Sequence, residues 1–164
     1  MNAYHKRCPI LVLGIGNILL RDEGIGVHVV EYLKNKVPDF VELVDGGTAG
    51  ADLLDVISDR DKVIIVDAVD AEVEHGTILR MKPEDLEVNT GQSVSLHEFG
   101  IGEMLAAAKY LGCAPHDVII FGIKPQDISC GVGISKELIR IVPQIADIVL
   151  AEITTTDTIR NEAG

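Results

Sequence analysis

Residues 10–26 read I-L-V-L-G-I-G-N-I-L-L-R-D-E-G-I-G. The run 10–13 is continuously apolar and stops at Gly14, as a strand covered on both faces does. Beyond Glu23, apolar residues recur at Ile25, Val29, Leu33 and Val37, the four-residue spacing of one helix face. Pro38 ends that pattern. A buried strand, a glycine-bearing loop and an amphipathic helix make the first half of a βαβ unit. The junction carries Asp22 and Glu23. The free N–H groups and dipole of a helix start favour a carboxylate there, but the same carboxylate competes with any phosphate for those donors. The loop is therefore read as presenting an acid, which points toward a metal or proton transfer rather than a nucleotide.

Working outward, the same alternation repeats. Strands are expected at 9–13, 41–44, 63–66, 77–81 and 117–122. Helices are expected at 23–36, at 50–58 with Thr48 as cap, at 97–111, and from a Ser135 cap to about 153. Residues 84–95 read as a polar loop and 155–164 as a frayed tail. Strands alternating with helices predict right-handed crossovers and a mostly parallel sheet in one domain spanning 1–164. Such sheets bind ligands off the carboxyl ends of their strands, where Glu23, Asp45 and Asp67 follow the first three. His97 opens the helix after the long loop.

The composition narrows the function. The chain has 164 residues, 47% of them hydrophobic, no Trp, and 14 basic against 26 acidic side chains for a net charge of −12. So acidic a surface disfavours nucleic acid and anionic membranes. Three cysteines, Cys8, Cys113 and Cys130, form no paired spacing, which fits a reducing cytoplasm. No run reaches the ~20 apolar residues of a membrane span, and residues 1–9 do not read as a cleavable signal.

Each candidate has an ordinary role beside its chemical one. Gly14-x-Gly16 after a strand suggests dinucleotide binding, and Asp45 could hold a ribose. Leu19, however, occupies the third glycine position of that fingerprint. Asp22 and Glu23 also suit a helix cap and first turn, and Asp45 begins a D-G-G turn. Cys113 and His116 form an isolated C-x-x-H. His5, His28 and His75 have no partner at metal-ligand spacing, and Asp70, Glu72 and Glu74 read as a solvated loop. The chain contains neither G-x-S-x-G nor H-E-x-x-H, the marks of serine hydrolases and zincins.

Five blocks together resemble one family. They are G-I-G-N-I-L-L-R-D-E-G-I-G-V-H-V-V-E (14–31), D-G-G-T-A-G (45–50), V-I-I-V-D-A (63–68), S-L-H-E-F-G (95–100) and F-G-I-K-P (121–125). In this order and spacing they resemble the nickel–iron hydrogenase maturation endopeptidases, which trim the C-terminus of the hydrogenase large subunit. The resemblance implies a three-layer α/β/α sandwich around a mostly parallel five-stranded sheet. It places the family's metal-binding residues on Glu23, Asp67 and His97, with Asp45 lining the same cleft. Asp45 and Asp67 are then the candidate catalytic acids. Many relatives carry D-D-G where this chain has D-E-G, which lengthens the arm at Glu23. Glu98 stands where relatives often have Gln.

The implied substrate is the precursor large subunit, whose cysteines already hold nickel. The three ligands would leave coordination positions open and engage that nickel, a check that metal insertion is complete. The cleaved bond in the family lies just after a His or Arg near the substrate's C-terminus. Nickel is thus the expected metal, supplied by the substrate, and the expected state is a cytoplasmic monomer that docks transiently. Two other classes fit parts of the pattern. One is a non-enzymatic nickel-binding chaperone using the same ligands, and the other is a dinucleotide-binding enzyme.

Overall fold

The computed structural model describes residues 7–87, 95–96 and 100–162. The first strand, β1, is Ile10–Ile15, and all six of its residues are buried. It pairs in parallel with β2 (Val41–Gly47) on one side and β3 (Lys62–Asp70) on the other. β3 pairs in parallel with β6 (Asp117–Ile123), and β4 (Ile78–Met81) runs antiparallel along the outer side of β6. The main sheet therefore has the order β2-β1-β3-β6-β4, the expected five strands, mostly parallel. A two-residue strand, β5 (Ser95–Leu96), adds antiparallel to the far end of β3.

Side-chain alternation divides the core into two layers. Ile10, Val12, Ile64, Val66, Ile119 and Phe121 face α1 (Ile25–Leu33) and α5 (Lys136–Glu162). Leu11, Leu13, Val63, Ile65, Val118 and Ile120 face the opposite layer. There lie α2 (Leu54–Ile57) and α4 (Ile101–Tyr110). No helix among the described residues is long and apolar enough to cross a membrane.

Several boundaries differ from the sequence reading. Residues Arg21–Gly24 form a separate 3-10 turn, so α1 begins at Ile25 rather than 23. β3 does not stop at 66. β6 and β5 continue the ladder to Asp70, and inter-strand bonds outweigh the apparent stop signal at Asp67. Thr48 does not cap the second helix. A 3-10 turn at Gly50–Leu53 intervenes, and α2 starts with no side-chain cap bond. Within the supposed polar loop, Pro83–Glu87 forms a short helix, α3, consistent with proline's tolerance at a helix start. α4 starts at Ile101 rather than 97, because Gly100 takes a left-handed conformation with φ 66° just before it. α5 continues through Glu162 instead of fraying at 155. Pro143 sits on its exposed side, where the carbonyl deprived of a partner can be hydrated.

The topology sets where a ligand can go. From β1 the chain moves to β2 on one side, then crosses to β3 on the other. The strand order reverses at the carboxyl ends of β1 and β3, the position where open α/β sheets form their crevice.

Candidate active site

The loop leaving β1 is shaped by close backbone contacts. Gly16 has φ +140°, and its N–H donates to the Gly47 carbonyl at 2.9 Å. A Cβ on Gly16 would lie 1.9 Å from the Glu23 carbonyl oxygen. A Cβ on Gly26 would lie 2.1 Å from the Val66 carbonyl oxygen, and one on Gly14 would lie 2.2 Å from that of Gly26. These glycines let the 3-10 turn and α1 lie directly on β1 and β3. Gly16 in particular is packed against the Glu23 backbone, so a side chain there would displace the acid-bearing turn.

The adjacent acids have different surroundings. Asp22 is fully buried and bonds to a distant loop. Its Oδ2 accepts the backbone N–H groups of Gln126 and Asp127, each at 3.0 Å, and its Oδ1 accepts that of Ser135 at 2.6 Å. Its own N–H donates to the Asp127 carbonyl. Asp22 is thus a latch between the loop after β1 and the loop before α5. The sequence reading took it as part of the presented acid pair or as a helix cap, and nothing local marks the latch, since its partners lie more than a hundred residues away.

Glu23 is also buried and lies close enough to act electrostatically on Asp67. Asp67 sits within β3 at 1% exposure, one residue beyond the last register pair with β1, Gly14 opposite Val66. Its Oδ1 accepts the Ala68 N–H at 2.8 Å. Its Oδ2 is buried and has no hydrogen-bond partner among the described residues. Burial pushes the Asp67 carboxyl up to about 7, the Ala68 bond works against that rise, and the negative charge of Glu23 adds to it. A carboxyl that titrates near neutrality is suited to proton transfer. A buried carboxylate oxygen without a donor also suits a cation, whose charge would offset the cost of burial.

Asp45 lies at the same sheet edge but is exposed, and its Oδ1 accepts the Gly47 N–H at 2.9 Å in a local turn. In register it stands opposite Gly14, with β1 between it and β3. Two strand spacings put its backbone roughly 10 Å from that of β3. Glu23 and Asp67 are therefore brought together by the fold, while Asp45 stands apart from them at the rim.

His97 lies outside the described residues. β5, just before it, pairs Ser95 with Asp70 and Leu96 with Val69, so that pairing advances along β3 in the direction of Asp67. Among the described residues, no three His, Cys, Asp or Glu side chains are grouped to hold a metal. The isolated Cys113–His116 pair has structural contacts. Cys113 Sγ accepts a bond from Ser58 Oγ at 3.3 Å, and the His116 N–H donates to the Arg60 carbonyl.

Known proteins share this fold and part of this sequence. The sequence model of a family described as hydrogenase maturation protease (HycI) matches residues 27–152. The chain is similar to the hydrogenase 2 maturation protease of Escherichia coli K12. The two are 35% identical over 147 residues, which cover 88% of this chain and 90% of that one. It is also similar to the hydrogenase expression/formation protein HupD of Bradyrhizobium diazoefficiens, at 40% identity over 122 residues covering 73% and 64% of the two chains. Among solved structures, the hydrogenase maturating endopeptidase HybD of E. coli matches with a TM-score of 0.79 and 34% identity, over 90% of this chain and 93% of that one.

Proposed function

The chain belongs to the hydrogenase maturation protease family, and on that premise we propose that it removes a short C-terminal peptide from the nickel-loaded precursor of a nickel–iron hydrogenase large subunit. As a member of that family it is a peptide hydrolase. The observation that best supports this reading is the buried pair Glu23 and Asp67 at the switch between β1 and β3, with Asp67 titrating near neutrality.

Glu23, Asp67 and His97 are the residues that would engage the nickel carried by the substrate. A metal there supplies Lewis-acid polarisation of a carbonyl and makes recognition depend on completed insertion. Asp67 is the candidate general base, removing a proton from the attacking water and returning it to the departing amine. This division makes the protease aspartyl-type in its proton chemistry. Asp45, at the rim, is the second candidate base, with its side chain reaching substrate rather than Asp67. The peptide released would allow the end of the large subunit to close over its metal centre. The protein is proposed to act in the cytoplasm as a monomer that leaves its substrate after cleavage.

The test is a processing assay on the precursor large subunit from the same organism, with and without nickel, read by intact mass. Loss of a C-terminal peptide from the loaded form alone supports both protease and metal check. Cleavage of both forms keeps the protease and discards nickel as the gate. Tight binding without cleavage favours a nickel-binding chaperone with the same ligands.

A further inference from the structure

We propose that the protein substrate docks through an apolar segment on a collar of four exposed aliphatic side chains, Ile18, Leu19, Ile128 and Val132, beside the loop that carries Glu23. The identity of the occupant rests on the function proposed above; the collar itself rests on the geometry of two loops.

These loops are far apart in sequence and joined in space. The Gly131 N–H donates to the Leu19 carbonyl at 2.8 Å, and the Arg21 N–H donates to the Gly131 carbonyl at 3.1 Å. The Asp22 latch ties the same two segments together. Within the first loop, Asn17 Oδ1 accepts the Leu19 N–H at 2.9 Å. Gly24 packs beneath, so close that a Cβ there would lie 2.9 Å from the Ile18 Cα. The backbone is thus held in place while large aliphatic groups remain in solvent. Leu19 is 60% and Val132 is 78% exposed.

A group of aliphatics presented this way on a chain of net charge −12 marks an interaction surface. Fixing the backbone in advance reduces the ordering cost of binding. Charge at the collar is locally balanced, because Arg21 Nε faces Asp127 Oδ2 at 3.4 Å. An apolar partner segment therefore fits better than a basic one. Leu19 lies four residues from Glu23 in a single loop, so a polypeptide engaging Glu23 has the collar within reach. Four side chains fall short of the roughly 800 Å² per partner of a stable interface, which suits a substrate that must be released and argues against a permanent homodimer.

The test compares wild type, Leu19→Ser/Val132→Ser, and two control variants at exposed apolar positions elsewhere, Tyr110→Ser and Ile139→Ser. Processing of the nickel-loaded precursor gives KM and kcat, and direct titration of the precursor gives Kd. The double variant is expected to raise KM and Kd by at least about tenfold, with kcat within about twofold and an unchanged thermal midpoint, while the controls behave as wild type. A wild-type KM and Kd in the double variant, or an equal loss in the controls, overturns the proposal. So does a wild-type dimer that the double variant dissociates, since the collar would then join two copies. If wild type binds the precursor without cleaving it, the protease reading fails while Kd still decides the collar. If it does not bind the precursor at all, the collar's occupant is wrong.

Discussion

Asp22 Oδ1 accepts the backbone N–H of Ser135 at 2.6 Å, joining the loop that leaves the first strand to the residue that opens the last helix. The neighbouring Glu23 is also buried, and its charge adds to the rise of the Asp67 pKa. Two consecutive acids thus differ in their surroundings, the first tying the loop to the 126–135 segment and the second acting on Asp67.

Asp22→Ala is expected to destabilise the protein by about 3 kcal/mol, because it leaves backbone donors without their charged acceptor in a buried setting. In a chain of this size that corresponds to a fall in thermal midpoint of roughly 10 °C. Asp45→Ala, which removes one bond of an exposed turn, should change stability by less than about 1 kcal/mol. Thermal unfolding of both variants checks the contrast, and a wild-type processing rate for Asp45→Ala would exclude it as the base.

Asp67→Asn should abolish processing and also change how stability depends on pH. The folded protein holds this carboxyl at about 7 against an ordinary value of 3.8. Between those values the folded state binds a proton that the unfolded state does not, so Asp67 lowers stability as pH rises toward 7 and has no further effect above it. The full difference is on the order of 4 kcal/mol. Denaturant titrations of metal-free protein across that range should show this slope in wild type and not in Asp67→Asn. An identical slope in both would mean that Asp67 titrates normally.

The same proton links metal binding to pH. A cation at Asp67 requires the carboxylate form, so affinity should fall about tenfold for each pH unit below 7. Calorimetric titration of wild type with nickel in buffers of different ionisation enthalpy would detect the released proton. A pH-independent affinity would place the metal elsewhere.

Glycine substitutions separate packing from flexibility. Gly16→Ala places a Cβ against the Glu23 backbone at an unfavourable φ, and should cost several kcal/mol or displace Glu23. Gly102→Ala on α4 meets nothing within 4 Å and should stabilise by about 0.5–1 kcal/mol. Chemical denaturation of the two variants gives opposite signs if the loop is packed as described.

At the opposite edge of the sheet, Lys62 Nζ bonds Glu152 Oε1 at 2.6 Å and Arg80 Nε bonds Glu152 Oε2 at 3.1 Å, tying α5 to β3 and β4. Burial favours the neutral acid, but the bonds and charges of Arg80 and Lys62 win and hold the Glu152 carboxyl below its usual range. Its contribution to stability is therefore present above the ordinary glutamate value near 4.5 and is lost as pH falls below it. Glu152→Gln should lose stability near neutrality and show a flatter acid limb in thermal unfolding.

The apolar runs 10–13, 63–66 and 117–122, together with the helical spacing after Glu23, were sufficient to read a parallel α/β sheet, because burial on both strand faces and on one helix face leaves its period in local sequence. Glu23 and Asp67 stood out in the sequence because they follow the first and third apolar runs, on the side where such sheets bind ligands. Element ends were read less well. Asp67 interrupts an apolar run, yet β3 continues because β6 and β5 supply its bonds. What only the tertiary structure decided depends on groups distant in sequence. Asp22 became a latch because three N–H groups from the 126–135 segment converge on it, and Asp67 acquired its raised pKa because folding buried it beside Glu23. Hydrophobic period is a local property of the chain, whereas desolvation and hydrogen-bond partnership exist only once distant segments meet.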